Sequence, residues 1–230
     1  MMYHRHKREN YWISLSDIMT GLSVIFMFIS ISYIIQVKKP VKRFRDTQFN
    51  LYQELKLEFE EDFREDNWNA SLDNDLTIRF LDEKVLFDYN RTDVKPEFRK
   101  VLDDFFPRYL KILLKPEYQR HVVEVRIEGH TDSVGSYLSN IILSQGRTVS
   151  VLKYLIDSTD SFSFLNPEDK RVVQFWMTAN GFSFGRTLDT DGSYTLVSGK
   201  EEDPAKSRRV EFRILTRSEQ VINEMISDND

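Results

Sequence analysis

The chain contains no cysteine among its 230 residues, which excludes a disulfide framework and thiolate chemistry. Glycine and proline are scarce, at 8 and 6 residues. With no low-complexity tract either, a long disordered linker is not expected. Histidine occurs only at positions 4, 6, 121 and 130, and none of these has the spacing of a metal-binding motif. No surplus of positive charge exists: the formal net charge is −5, so no nucleic-acid partner is indicated. No nucleophile stands beside an oriented base and no acid pair marks a cleft, so an enzyme is not expected.

What is present is one long apolar stretch, YWISLSDIMTGLSVIFMFISISYIIQV, from Tyr11 to Val37. No charge occurs between Ile18 and Val37, and about 20 such residues are enough for a helix to cross a bilayer. The segment is too long for a signal peptide, and Gln36-Val37-Lys38-Lys39-Pro40 offers no small-residue cleavage site. An uncleaved anchor is therefore expected. Asp17 sits at its start. A carboxylate inside the membrane boundary is costly unless it faces a protein interior or a water path. The other reading of its position is a boundary acid that reaches headgroup water. Ser14, Ser16, Thr20 and Gly21 surround it, residues that allow close helix approach and hydrogen bonding across an interface.

Trp12, Asp17, Met19 and Thr20 form a W-x4-D-x-M-T pattern that resembles the B subunit of MotB-type ion-driven stators. The resemblance implies that Asp17 is the ion-carrying group for translocated H+ or Na+, with no other cofactor. It places Thr20 and Ser16 beside the ion path. It also implies a homodimer working with a MotA/ZorA-like multi-pass membrane subunit, since one helix makes no channel alone. The charge flanks lean against a cytoplasmic N-terminus: Arg5, Lys7 and Arg8 precede the helix, while Lys38, Lys39, Lys42, Arg43 and Arg45 follow it. The resemblance, with the shortness of the tail, puts the N-terminus in the cytoplasm and the C-terminal domain in the periplasm of an inner-membrane protein.

The chain then divides into a tail (1–10), the membrane helix (11–37), a linker and amphipathic helix (38–71), a globular domain (72–217) and a C-terminal helix or tail (218–230). Pro40 permits a bend. Tyr52, Leu55, Phe59 and Phe63 recur at helical steps and predict a helix over 45–66. Its apolar stripe needs a partner, which is either a second copy or its own domain. Alternation predicts strands over 76–80, 123–127 and 209–215. Helices are predicted from Phe98 through a kink or break at Pro107, from Ser136 to Asp157, and over Ser218–Ile226. Leu143, Val149, Leu152 and Leu155 are expected in the core. A short helix leads into a further strand at 177–180, and 181–207 reads as a polar loop. The result is an α+β two-layer sandwich of β-α-β-α-β order behind a single transmembrane helix.

Within that domain stand GHTDSVG at 129–135, Asn140, Leu143-Ser144, Arg147 and KSRRVEF at 206–212. Asp132 leaves the end of a strand and Arg147 lies on the next helix. Across a cleft, such a pair can grip a zwitterion by its ammonium and its carboxylate; a structural ion pair is the alternative. These blocks resemble the OmpA-type peptidoglycan-binding domain from about Val85 to Leu215. The resemblance implies that Asp132 and Arg147 hold the diaminopimelate of the peptidoglycan stem peptide, with Asn140 and Arg208 orienting. His130 reads as a packed turn residue. The chain departs from the pattern at Ser207, where Asn is usual, at Gly146-Arg147-Thr148, where Arg-Ala is usual, and in a long insertion over 186–205.

With SLSDIMTGL, ANGFSFGRTL and KSRRVEFRIL the chain resembles the B subunits of Zorya anti-phage systems, which implies a role in anti-phage defence. A flagellar stator subunit and a passive peptidoglycan tether, in which Asp17 is incidental, are the alternatives.

Overall fold

The computed structural model describes residues 6–81 and 83–217. The helix expected over Ser218–Ile226 lies outside them. The described chain forms two compact units, Met1–Arg45 and Asp46–Asp230.

Helix α1 is assigned over His6–Phe59, and the assignment passes through Pro40 without interruption. Within the first unit, Leu15–Ile34 is long and apolar enough to cross a membrane by length and composition, and none of it is buried in the protein. The last turns of α1 belong to the second unit. There Leu51, Leu55 and Phe59 enter the domain core, and Phe59 packs on Phe105 with ring centroids 5.3 Å apart. Of the two partners open to this stripe, it takes its own domain.

The second unit holds a five-stranded mixed sheet, ordered β1-β2-β5-β3-β4. Its strands are β1 (Ala70–Leu72), β2 (Thr77–Phe80), β3 (Val122–His130), β4 (Met177–Gly181) and β5 (Arg209–Thr216). β3 runs parallel to β4 and antiparallel to β5. The edge strand β1 went unread in the sequence, being only three residues long. After β2 the chain forms α2 (Glu83–Leu86) and then α3 (Pro96–Leu113). Pro107 does not split α3. Phe98, Leu102, Phe105, Phe106, Tyr109 and Leu113 form its buried stripe, at the helical spacing that a sheet-facing helix needs. A turn of helix, α4 (Pro116–Gln119), leads into β3.

Helix α5 (Tyr137–Lys153) starts where the Ser136 side chain caps the Ser139 amide, and a π-helical turn, Tyr154–Ser158, ends it. Val151 and Leu155 are buried, whereas Val149, expected in the core, is exposed. The helix is rotated so that Ser144 and Thr148 face β3. Gly129 and Gly181 are register partners on β3 and β4, and a Cβ on either would meet α5 at 2.6 Å or less. Their bareness is what lets this helix lie close on the sheet. The helices α6 (Asp160–Ser163) and α7 (Pro167–Trp176) return the chain to β4. The insertion then carries α8 (Thr195–Ser198) and α9 (Pro204–Ser207) before β5.

Alternation divides the sheet into two faces. Val210, Phe212 and Ile214 of β5, with Val125 and Ile127 of β3 and Ile78 and Phe80 of β2, belong to the apolar core. The alternate positions carry Arg209, Glu211, Glu128, Arg126 and Arg79.

Candidate functional site

The register of β3 on β5 pairs His130 with Arg209. Thr131-Asp132 therefore leaves the sheet beside Arg208, at the same end from which α5 starts. A cavity of about 430 Å³ opens there, lined among others by Tyr89, Asp132, Asn140, Leu143, Arg147 and Arg208. All four residues expected to recognise peptidoglycan thus border one cavity. Leu143, expected in the core, lines it as well.

Their contacts sort them into different tasks. Arg208 Nη1 donates to Asp132 Oδ2 at 2.5 Å. Arg147 is buried, with its guanidinium 4.9 Å over the Phe87 ring. Its Nε donates to the carbonyl of Arg91 at 3.0 Å and its Nη2 to that of Asp88 at 3.4 Å. Arg147 therefore ties the 88–91 loop to α5 while bordering the cavity. Gly146 beside it faces the same loop, since a Cβ there would meet Thr92 Cγ2 at 2.7 Å. Asn140 Nδ2 donates to the carbonyl of Val134 at 2.8 Å, which makes it a brace for the Asp132 loop. The Asp132 carboxylate accepts from the Val134 amide at 3.2 Å, and Gly135 completes the turn at φ +96. Tyr89, which the sequence reading missed, stands at the cavity rim and is 88% exposed. The sequence signal was an aromatic set in a turn next to Asn90, whose φ is +53.

Behind the cavity lies a buried ionic cluster. Glu128 and Glu211 face one another in register, an arrangement that like charges disfavour. The chain supplies the compensation. Arg79 and Arg209 reach Glu211 at 2.8 and 2.6 Å, and Arg186 reaches Glu128 at 2.9 Å. His130 is not in a turn. It ends β3, with Nε2 3.6 Å from both glutamates, and stacks on Phe182 with centroids 5.3 Å apart. Burial works against the charged form of Glu211, but the imidazole of His130 and the guanidinia of Arg209 and Arg79 outweigh it. They hold the carboxyl well below its ordinary range. The ligand atoms of Glu128, His130 and Glu211 lie within 4.8 Å of one another. The guanidinia already neutralise these carboxylates, and a divalent cation among them would meet strong repulsion. The cluster reads as a structural ion network.

Asp17, Ser16 and Thr20 lie in the other unit, within the apolar helix. Thr20 Oγ1 donates to the Ser16 carbonyl at 2.8 Å, so that hydroxyl is engaged along its own helix one turn from Asp17.

Ser207, where Asn is usual, is buried; its Oγ accepts from the Leu188 amide at 3.0 Å and closes the base of the insertion. The insertion is ordered around this contact. Asp189 accepts from the amides of Asp191 and Ser193, and Asp203 donates its amide to Leu188 at 2.7 Å.

Residues 86–181 match the OmpA family model. The Zorya protein ZorB of Escherichia coli strain Crooks is 39% identical over 96% of this chain and 94% of its own length. The Zorya protein ZorB of Escherichia coli O139:H28 is 28% identical over 89% of this chain and 79% of its own. Among solved structures, a putative MotB-like protein from Desulfovibrio vulgaris superposes with a TM-score of 0.52 at 22% identity. It covers 76% of this chain and 95% of that one. The fold of the second unit is accordingly OmpA-like and MotB-like.

Proposed function

The chain belongs to the family of the Zorya protein ZorB, and on that premise we propose that it is the B subunit of an ion-driven membrane complex anchored to peptidoglycan. One juxtaposition carries this reading. A single chain joins an apolar helix with a carboxylate near its start to a domain whose cavity presents a carboxylate and two guanidinia.

In the cavity, the zwitterionic end of diaminopimelate in the stem peptide meets both signs of charge. Its ammonium binds Asp132, and its carboxylate binds the guanidinium edge offered by Arg208 and Arg147. Asn140 holds the loop that carries Asp132. No acid pair or activated nucleophile lines the cavity among the described residues, which favours holding over cleavage.

In the membrane helix, Asp17 carries H+ or Na+ along an interface with a MotA/ZorA-like multi-pass subunit, and a homodimer of this chain supplies two such helices. Neutralising a carboxylate at a helix interface in a low-dielectric setting changes the contact free energy by several kcal/mol, enough to drive a step in the partner. The N-terminus is cytoplasmic and the domain periplasmic, so the wall holds the chain still while the partner moves. The output is anti-phage defence.

The test is Asp17→Asn in the full chain, co-expressed with the multi-pass partner and scored by phage plating. We expect protection to fall at least 100-fold while the two subunits still co-purify. Full protection by the variant would overturn the ion-carrying role and leave the chain a passive tether.

A further inference from the structure

The insertion that separates β4 from β5 reaches back to the cavity at two points. At one end of α9, Arg208 pairs with the Asp132 carboxylate. At the other, the Glu202 carboxylate accepts from the backbone amide of Ser133, at 3.2 Å to Oε1 and 3.3 Å to Oε2. These contacts grip adjacent residues of the same loop from opposite ends of one helical turn. The turn is itself fixed: Asp203 caps the amides of Ala205 and Lys206, its own amide donates to Leu188, and Ser207 bonds the Leu188 amide from the far side. On its other flank the loop is held by the Thr131 amide donating to the Ser183 carbonyl at 3.0 Å and by Asn140 on the Val134 carbonyl.

We propose that the turn Glu202–Arg208 is a two-point clamp on the cavity loop, and that Glu202 is a positioning residue that sets the direction of the Asp132 carboxylate toward a ligand ammonium. The proposal rests on the reading that this cavity takes the diaminopimelate end of a stem peptide. Arg208 and the Val134 amide hold the Asp132 side chain, and Ser183 and Asn140 hold the loop at Thr131 and Val134, but none of these contacts engages the peptide unit between Asp132 and Ser133. Glu202 supplies that hold by accepting from the Ser133 amide. Its carboxylate accepts a charge-assisted hydrogen bond from a main-chain donor, a contact stronger than its neutral counterpart. Preorganisation of this kind changes affinity without contacting the ligand.

The test uses the full chain in detergent with two probes, the tripeptide L-Ala-γ-D-Glu-meso-diaminopimelate and its form acetylated on the side-chain amine. Wild type should prefer the free amine. Glu202→Ala should lose about 5-fold in affinity for the free amine and none for the acetylated form, with its melting midpoint unchanged. Glu202→Gln, which keeps an acceptor oxygen, should recover most of that preference. Ser133 amide exchange, read by NMR, should quicken in Glu202→Ala and serves where affinity is weak. Undiminished preference with slow Ser133 exchange in Glu202→Ala would overturn the clamp and leave the peptidoglycan reading standing. Failure of wild type to bind either tripeptide or isolated sacculi would overturn that reading itself.

Discussion

The two units of this chain use the same residue types in opposite ways. In the first, Ile25, Phe26 and Phe28 are more than half exposed, and no part of the span Leu15–Ile34 is covered by protein. In the second, Phe80, Phe105 and Phe212 are buried against one another. The acids differ as well. Asp17 stands on an exposed helix face, whereas Glu211 is surrounded by Arg79, Arg209 and His130. Apolar side chains leave water only when something covers them. In the domain the chain does this itself, and in the helix the cover must be lipid or a partner. The boundary between the regimes falls inside one helix, α1, where Leu51 is already buried.

That contrast can be broken or sharpened by substitution. The largest effect is expected for Phe105→Ala, at the centre of the aromatic cluster, which should cost about 4 kcal/mol in urea unfolding of the domain. Phe28→Ala should leave the same transition where it is, and a matching loss would deny that the units are separate. Glu211→Gln should cost about 3 kcal/mol, because it leaves buried guanidinia with too little negative charge. It should also alter the acid response. The folded-state pKa of Glu211 is depressed, so its contribution is complete above the unfolded value of 4.5 and is lost as pH falls below it. Wild type should thus lose more stability than Glu211→Gln between pH 6 and pH 3, and parallel curves would remove Glu211 from the acid transition.

Within α1, Leu55→Ala should destabilise the domain by about 2–3 kcal/mol. Leu57→Ala, two residues on and 77% exposed, should stay within about 0.5 kcal/mol. Equal effects would mean that this part of the helix is not docked as described. The smallest change is expected for Arg147→Lys. A lysine keeps the charge but cannot span the carbonyls of Asp88 and Arg91 together. A loss of about 1 kcal/mol, with quickened amide exchange across 88–91, would mark Arg147 as the tie for that loop.

Much of this molecule was legible in its residues because the signals were periodic and local. Alternation in Val123–Ile127 and Arg209–Leu215 gave two central strands, and three- and four-residue spacing gave α3 and the docked end of α1. The GHTD block and Arg147 were read as cavity residues from resemblance, and the fold does bring them to one cavity. Val149 was misplaced because α5 has apolar residues on more than one face, and only packing against Gly129 and Gly181 selects which face is inner. Tyr89 and Glu202 went unread because each acts across a long separation in the chain. No local pattern records that a carboxylate at 202 will meet an amide at 133.

The sequence by itself determined that there is one apolar span with an acid at its start, an α+β domain after it, and membership in a recognisable family. Hydrophobic period and run length are properties of neighbouring residues, and they survive without a fold. Only the tertiary structure decided that Arg208 takes Asp132, that Arg147 braces a loop, and that facing glutamates are neutralised by three separate segments. Charge pairing depends on distance in space, and that distance exists only once β3 and β5 are in register.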